Sequence, residues 1–188
     1  MTDVRLELQQ EREKVKLLQM ENAQLRERIT KVETESDYVS SQLKRNNIVV
    51  HGIEEAENGH ETWAESEEKV KTLLKDELEI DTVEFERAHR LNTRSRPRPI
   101  IAKCVSFKDK EQVLSAAAKW KDTNTQYRIA EDFTTRVRHI RKNLSKFLRQ
   151  AREQNKRCRL SYDKIVIEGK TYTYDALNDD IKPVGRPR

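Results

Sequence analysis

The sequence predicts an α+β chain in three successive parts: a coiled coil, a mixed β-α-β-β-α-β domain, and a small domain of one helix and a β-hairpin. Three observations carry this. Apolar residues repeat at 3–4 spacing from Val4 to Leu43, with no Gly or Pro before Gly52. At Ile48-Val49-Val50 the pattern changes to a β-branched run closed by Gly52, which reads as a strand entering a turn. Beyond Asp132 a long amphipathic segment carries apolar residues on one side and cations on the other. The predicted boundaries are 1–45, 46–131 and 132–177, with 178–188 as a disordered tail.

In the first part Leu8, Val15, Asn22, Ile29, Ser36 and Leu43 occupy heptad position a, and Val4, Glu11, Leu18, Leu25, Val32 and Val39 occupy d. About 40 residues of helix span about 60 Å, long enough for a coiled coil. Glu11 and Ser36 interrupt the seam, so its core is Val15, Leu18, Asn22, Leu25, Ile29 and Val32. Asn22 at an a position favours one parallel register and often accompanies dimers. Arg28-Ile29-Thr30-Lys31-Val32-Glu33 resembles the Arg-h-x-x-h-Glu motif of three-stranded coiled coils, in which Arg28 would reach Glu33 of a neighbouring helix. A trimer is therefore expected ahead of a dimer.

The middle part begins with the Ile48–Ile53 strand and a turn at Asn58-Gly59. Helix 61–78 follows, with Trp63, Val70, Leu73, Leu74 and Leu78 on one side. Thr82–Leu91 reads as a second strand, and the basic, Pro-punctuated segment Asn92–Pro99 as a loop. Ile100–Phe107 is a third strand, 109–120 a helix and Tyr127–Ala130 a fourth strand. This order is the split βαβ, or ferredoxin-like, arrangement. In the last part a helix from Phe133 to Glu153 precedes strands Arg159–Ile167 and Lys170–Tyr174, joined by a hairpin turn at Glu168-Gly169. Asp132 is expected in the N-cap region of that helix. Trp63 and Trp120 read as core or contact anchors, His51 as a sheet-surface residue, and Tyr172 and Tyr174 as packing.

Of the 188 residues, 38% are charged, and the net charge of +5 conceals a segregation. Residues 46–81 carry three basic and eleven acidic side chains, whereas residues 132–160 carry ten basic and two acidic. Residues 82–98 carry five Arg against two Glu. Basic charge gathered in two blocks is the footprint of a polyanion binder. Arg87, Arg90, Arg94, Arg96 and Arg98, with no lysine among them, favour planar bidentate phosphate contact. On the long helix Arg138, Arg141, Lys142, Lys146, Arg149 and Arg152 fall opposite the apolar stripe. Lys103, Arg157, Arg159 and Tyr162 complete the candidate nucleic-acid surface. Cys104 and Cys158 are isolated, which suggests a reducing compartment and no zinc site. No Gly-rich phosphate loop, Ser/His/Asp or Cys/His constellation or paired carboxylates emerge, so a non-enzyme without cofactor or metal is expected. No apolar run approaches the roughly 20 residues of a membrane span, and no membrane partner is expected. Gly185-Arg186-Pro187-Arg188 has too little of the AT-hook pattern to carry weight.

Ile48–Ile53 and Ile100–Cys104 occupy the places of the two signature strands of the RNA-recognition motif. Val49, Pro99 and Ile101 stand where that family has base-stacking aromatics. The whole order, with Asn46–Glu55, Arg98–Lys103 running into Glu111–Ala117, and Arg159-Leu160-Ser161-Tyr162, resembles the first open-reading-frame protein of LINE-type non-LTR retrotransposons, the transposase-22-like RNA-binding family. The resemblance implies a trimeric chaperone that coats single-stranded RNA in cytoplasmic or nuclear ribonucleoprotein particles, with single-stranded DNA as a further ligand. It also implies that Arg94, Arg96, Arg98, Arg141 and Lys142 hold RNA between two domains. This coiled coil is far shorter than in mammalian members, and the chain stops soon after the hairpin. Two other classes are open: a structural oligomeriser whose α/β head binds a protein, and a DNA-binding regulator. The second is disfavoured because no groove-entering helix is recognisable.

Overall fold

The computed structural model describes residues 2–56 and 59–185, so Asn58 of the predicted turn and the last three residues lie outside it. The chain is mixed α+β and divides into two compact units, Met1–Gln42 and Leu43–Arg188. The first unit is almost the whole of helix α1, Thr2–Lys44. Its heptad residues are uncovered in the single chain: Val15 is 48% exposed, Leu25 45% and Val32 64%. The Asn22 side-chain amide donates to the Leu18 carbonyl one turn back, at 3.2 Å.

The second unit contains two four-stranded antiparallel sheets. In the first, β1 (Asn47–His51), β2 (Phe85–Arg90), β3 (Ile100–Cys104) and β4 (Arg128–Glu131) are ordered β2-β3-β1-β4. Alternation sends Ile48, Val50, Ala88, Ile100, Ala102 and Cys104 to one side of the sheet. There they form one core with Val70, Leu73 and Leu74 of α2 (Trp63–Leu78) and Val113 of α3 (Phe107–Ala117). Burial of the Cys104 thiol raises its pKa to about 11.

Local chemistry sets the ends. Thr62 caps α2 in a reciprocal box: its Oγ1 accepts from the Glu65 N–H at 3.2 Å, and the Glu65 carboxylate accepts from the Thr62 N–H at 2.7 Å. Glu79, in the left-handed region at φ 58°, closes that helix. The third strand stops at Cys104, short of Phe107, because Ser106 caps α3, and Phe107 opens that helix. The helix predicted to reach residue 120 ends at Ala117 and tightens into a 3-10 turn, Ala118–Asp122. Gly52 is required: at φ 92°, an added Cβ would lie 2.3 Å from the Gln126 carbonyl oxygen.

Helix α4 is Thr135–Glu153, and Thr134 rather than Asp132 is its cap. The Asp132 carboxylate is taken up by Lys44 Nζ at 2.8 Å and Asn47 Nδ2 at 3.0 Å. The predicted hairpin is a four-stranded meander, β5 (Cys158–Ser161), β6 (Lys164–Ile167), β7 (Lys170–Asp175) and β8 (Asp180–Pro183). The predicted strand Arg159–Ile167 is broken because Tyr162 takes φ 52° in a tight turn. The predicted disordered tail supplies β8, whose Ile181 pairs with Tyr174. Pro183 is tolerated because the Val184 N–H bonds the Thr171 carbonyl, so alternation turns position 183 toward the open edge. Val137, Leu144 and Ala151 of α4 are buried on this sheet's side, as is Ile165 of β6. Cys158, half-buried, approaches the Leu148 carbonyl at 3.6 Å. Among the described residues no helix is long and apolar enough to cross a membrane.

Candidate nucleic-acid interface

The cations of α4 divide into two sets. Arg138, Lys142, Arg149 and Arg152 are exposed and fall within about 80° of one another around the helix. Lys142, Arg149 and Arg152 meet no acidic partner among the described residues, and Arg138 bonds only Thr135 of its own helix, at 3.2 Å. This stripe is therefore available to an anion. Lys146 is not, because it binds the Asp179 carboxylate at 2.5 Å. Arg157 and Arg159 lie exposed beyond the helix end.

Arg141 points inward. It donates to the Tyr162 carbonyl at 2.7 Å, and its guanidinium lies 4.3 Å from the Phe133 ring centroid. Burial lowers its pKa from the free value, and Glu131 opposes the shift. Tyr162, 41% exposed, meets Phe133 edge-on at 6.0 Å. Arg141 is thus a half-buried cation at the mouth of a cleft of about 710 Å³ that runs beside β4. Arg128 and His51 stand at the same cleft, joined at 3.0 Å. Burial and the Arg128 charge lower the His51 pKa, so near neutrality the imidazole accepts the bond.

The predicted loop arginines behave unequally. The Arg90 side chain is only 5% exposed, and all five of its N–H groups are used. They reach Glu61, the carbonyls of Ile53 and Arg98, and the carbonyl of Glu54 at 2.6–3.1 Å. Burial would raise the Glu61 pKa, but bonds from Lys69, Arg90 and Ser66 hold it below the ordinary value. Arg90 is consequently a structural clamp, and it leaves the candidate surface. Arg98 is held by Glu55 through its side chain at 2.7 Å and its backbone N–H at 2.8 Å. The Arg98 bonds depress the Glu55 pKa to about 2. Arg96 approaches the same carboxylate at 3.8 Å. Arg94 is exposed with no partner among the described residues. Arg87 and Lys103 pair across β2 and β3, and Lys103 binds Glu86 at 2.6 Å.

Of the predicted nucleic-acid residues, only Arg141 lines the cleft. The cleft's other cation, Arg128, was not anticipated, although strand parity carries the signal. Arg128 and Ala130 alternate onto the face shared with His51, Val49 and Ile101. Strand pairing also sets Arg128 near the 91–99 loop. It lies opposite His51, while Val50 lies opposite Ile100, so the loop begins two strand spacings away, about 10 Å. His51 lies on the sheet face between them, with Val49, Ile101 and Ala130 further along it, and none of these is Phe, Tyr or Trp.

The residues predicted to form a coiled coil, Val15, Leu18, Leu25, Arg28, Ile29, Val32 and Glu33, all lie exposed on α1, in the other unit. Trp63 is 61% exposed and stacks on His89 at 5.5 Å rather than entering the core. No group of three His, Cys, Asp or Glu side chains among the described residues is arranged to hold a metal ion. Comparison with known protein families and with curated proteins gives no match.

Proposed function

We propose that the chain is an oligomeric, non-enzymatic binder of single-stranded RNA, and of single-stranded DNA as well, acting as a chaperone that packages retrotransposon RNA. The observation that carries this reading is the unneutralised stripe Arg138-Lys142-Arg149-Arg152, which leads by way of Arg141 into the cleft where Arg128 stands. The strand order β2-β3-β1-β4, with α2 and α3 on one face, supports the ferredoxin-like, RNA-recognition-like reading of the first sheet. Because Val49, Ile101 and Ala130 stand on its open face where a base would need Phe, Tyr or Trp, affinity rests on phosphate contacts. The uncovered seam of α1 supports a coiled coil that joins several heads, making later engagements on one strand intramolecular. Multiple weak, exchangeable contacts let strands anneal and separate without nucleotide hydrolysis.

Filter binding of single-stranded RNA, single-stranded DNA and duplex at several salt concentrations tests the reading. Affinity for single strands falls by about 0.7 log unit per decade of salt for each phosphate contact. Lys142→Ala with Arg149→Ala weakens all sequences alike and flattens the slope by about 0.7 for each phosphate left without its cation. This pair is a cleaner probe than Arg141, whose removal also strips Phe133 and the Tyr162 carbonyl of their partner. Unchanged binding by the folded double variant at ~0.15 M salt rejects the proposal in favour of the structural oligomeriser.

A further inference from the structure

The cleft beside β4 contains more than charge. The Asn46 carbonyl accepts from the Cys104 N–H at 3.0 Å, which sets the phase of β1: residues 46, 48 and 50 turn to β3, and Val49 and His51 turn to β4. Their partners Ala130 and Arg128 therefore spend their main-chain groups on β1, whereas Ile129 turns its N–H and C=O outward from the sheet. Among the described residues nothing pairs with that edge, because β4 ends the sheet order. The cleft of about 710 Å³ lies along it. Trp120 and Tyr127 line the cleft, with ring centroids 6.1 Å apart and planes at 43°. Phe133, covered by Arg141, lines it too.

We propose that this cleft receives one unstacked nucleobase of a bound single strand, between the ring faces of Trp120 and Tyr127 and that of Phe133. The adjacent donor and acceptor of Ile129 meet the base edge, and Arg128 and Arg141 hold the flanking phosphates. An outward N–H beside an outward C=O complements the adjacent acceptor and donor that every base presents on its pairing edge. Aromatic faces and two cations beside that edge fit a nucleotide; a peptide strand would need the main-chain edge alone. The site rests on the single-strand reading above and adds base contact to a surface otherwise limited to phosphates.

The test compares the full-length protein's affinity for a uridine decamer with that for an abasic ribose-phosphate decamer of equal charge. Stacking of one base is worth about 1–3 kcal/mol, so the intact strand should bind at least about fivefold tighter. Arg128→Gln, at an exposed position, should weaken binding to both strands. Phe133→Leu and Ile129→Pro should bring the ratio toward one with the salt slope unchanged; the proline removes an outward N–H that β1 does not use. Lys142→Ala with Arg149→Ala should weaken both strands and leave the ratio intact. Equal affinity of the parent for both strands overturns the base site while leaving phosphate binding standing, and that comparison decides even if a variant fails to fold. Displacement of neither strand by free uridine, with displacement by an acidic extended decapeptide, also overturns it and assigns the edge to protein-strand pairing. Absence of binding to either strand overturns the single-strand reading itself.

Discussion

Two arginines eight residues apart in the sequence, Arg90 and Arg98, sit beside neighbouring glutamates and do different work. Arg90 shares with Lys69 a Glu61 carboxylate whose side chain is 2% exposed, so removing the guanidinium leaves Lys69 as its remaining cation and takes a donor from the Ile53 and Arg98 carbonyls. Arg90→Ala should cost about 1.5–3 kcal/mol of stability, the usual worth of hydrogen bonds to a charged group, measured by denaturant unfolding. Arg94→Ala should change stability by less than about 0.5 kcal/mol while weakening RNA binding and flattening its salt dependence. Glu55 gives a pH signature. Its folded pKa of about 2 lies below the ordinary 4.5, so the stability it contributes is fully present above pH 4.5. That contribution fades as pH falls from 4.5 through about 2. A carboxyl titration followed by NMR should place its midpoint near pH 2, and Arg98→Gln should bring it back toward 4.5.

At the scale of elements, the clearest sequence signals were those with a strong period. The long first helix, the β-branched β1 and the amphipathic α4 were legible because burial enforces a 3.6- or 2-residue repeat. What escaped depended on partners distant in sequence. Asp132 looks like a helix cap until Lys44 and Asn47 claim it, and β8 has no pattern of its own because it needs only Ile181 to pair with Tyr174. Arg90 reads like its loop neighbours, since nothing local announces that Glu61, 29 residues earlier, will enclose it. The cleft was half legible: Arg141 stood on the predicted basic helix, whereas Arg128 required the parity of a short edge strand. Gly52 ties β1 to the wall of that cleft. Gly52→Ala should destabilise the head, because the new methyl meets the Gln126 carbonyl and the backbone keeps a positive φ. Its thermal unfolding midpoint should fall, and RNA affinity should weaken even where the variant remains folded.

At the scale of the whole molecule, the exposed α1 seam makes assembly the decisive measurement. Light scattering on the full chain should give about three protomers, and removal of residues 1–45 should give monomers. Asn22→Ile should raise the melting temperature while loosening strand number or register, because an amide enclosed in the proposed seam trades stability for specificity. A seam that stays monomeric at micromolar concentration would leave the cationic stripes to act singly, without the gain from multivalency.

The two cysteines give the head a built-in gauge of its own opening. Cys104 is fully buried on β3, with its thiol held protonated, whereas Cys158 is half-buried on the second sheet. A thiol reagent added under native conditions should therefore label the two sites at separate rates. Cys158 reports local fluctuation, and Cys104 reacts only when the first sheet parts from α2 and α3. The ratio of the Cys104 rate to that of an unfolded thiol would give the free energy of that parting without denaturant. Repeating the measurement with single-stranded RNA present would test whether the proposed binding reaches the core of the head.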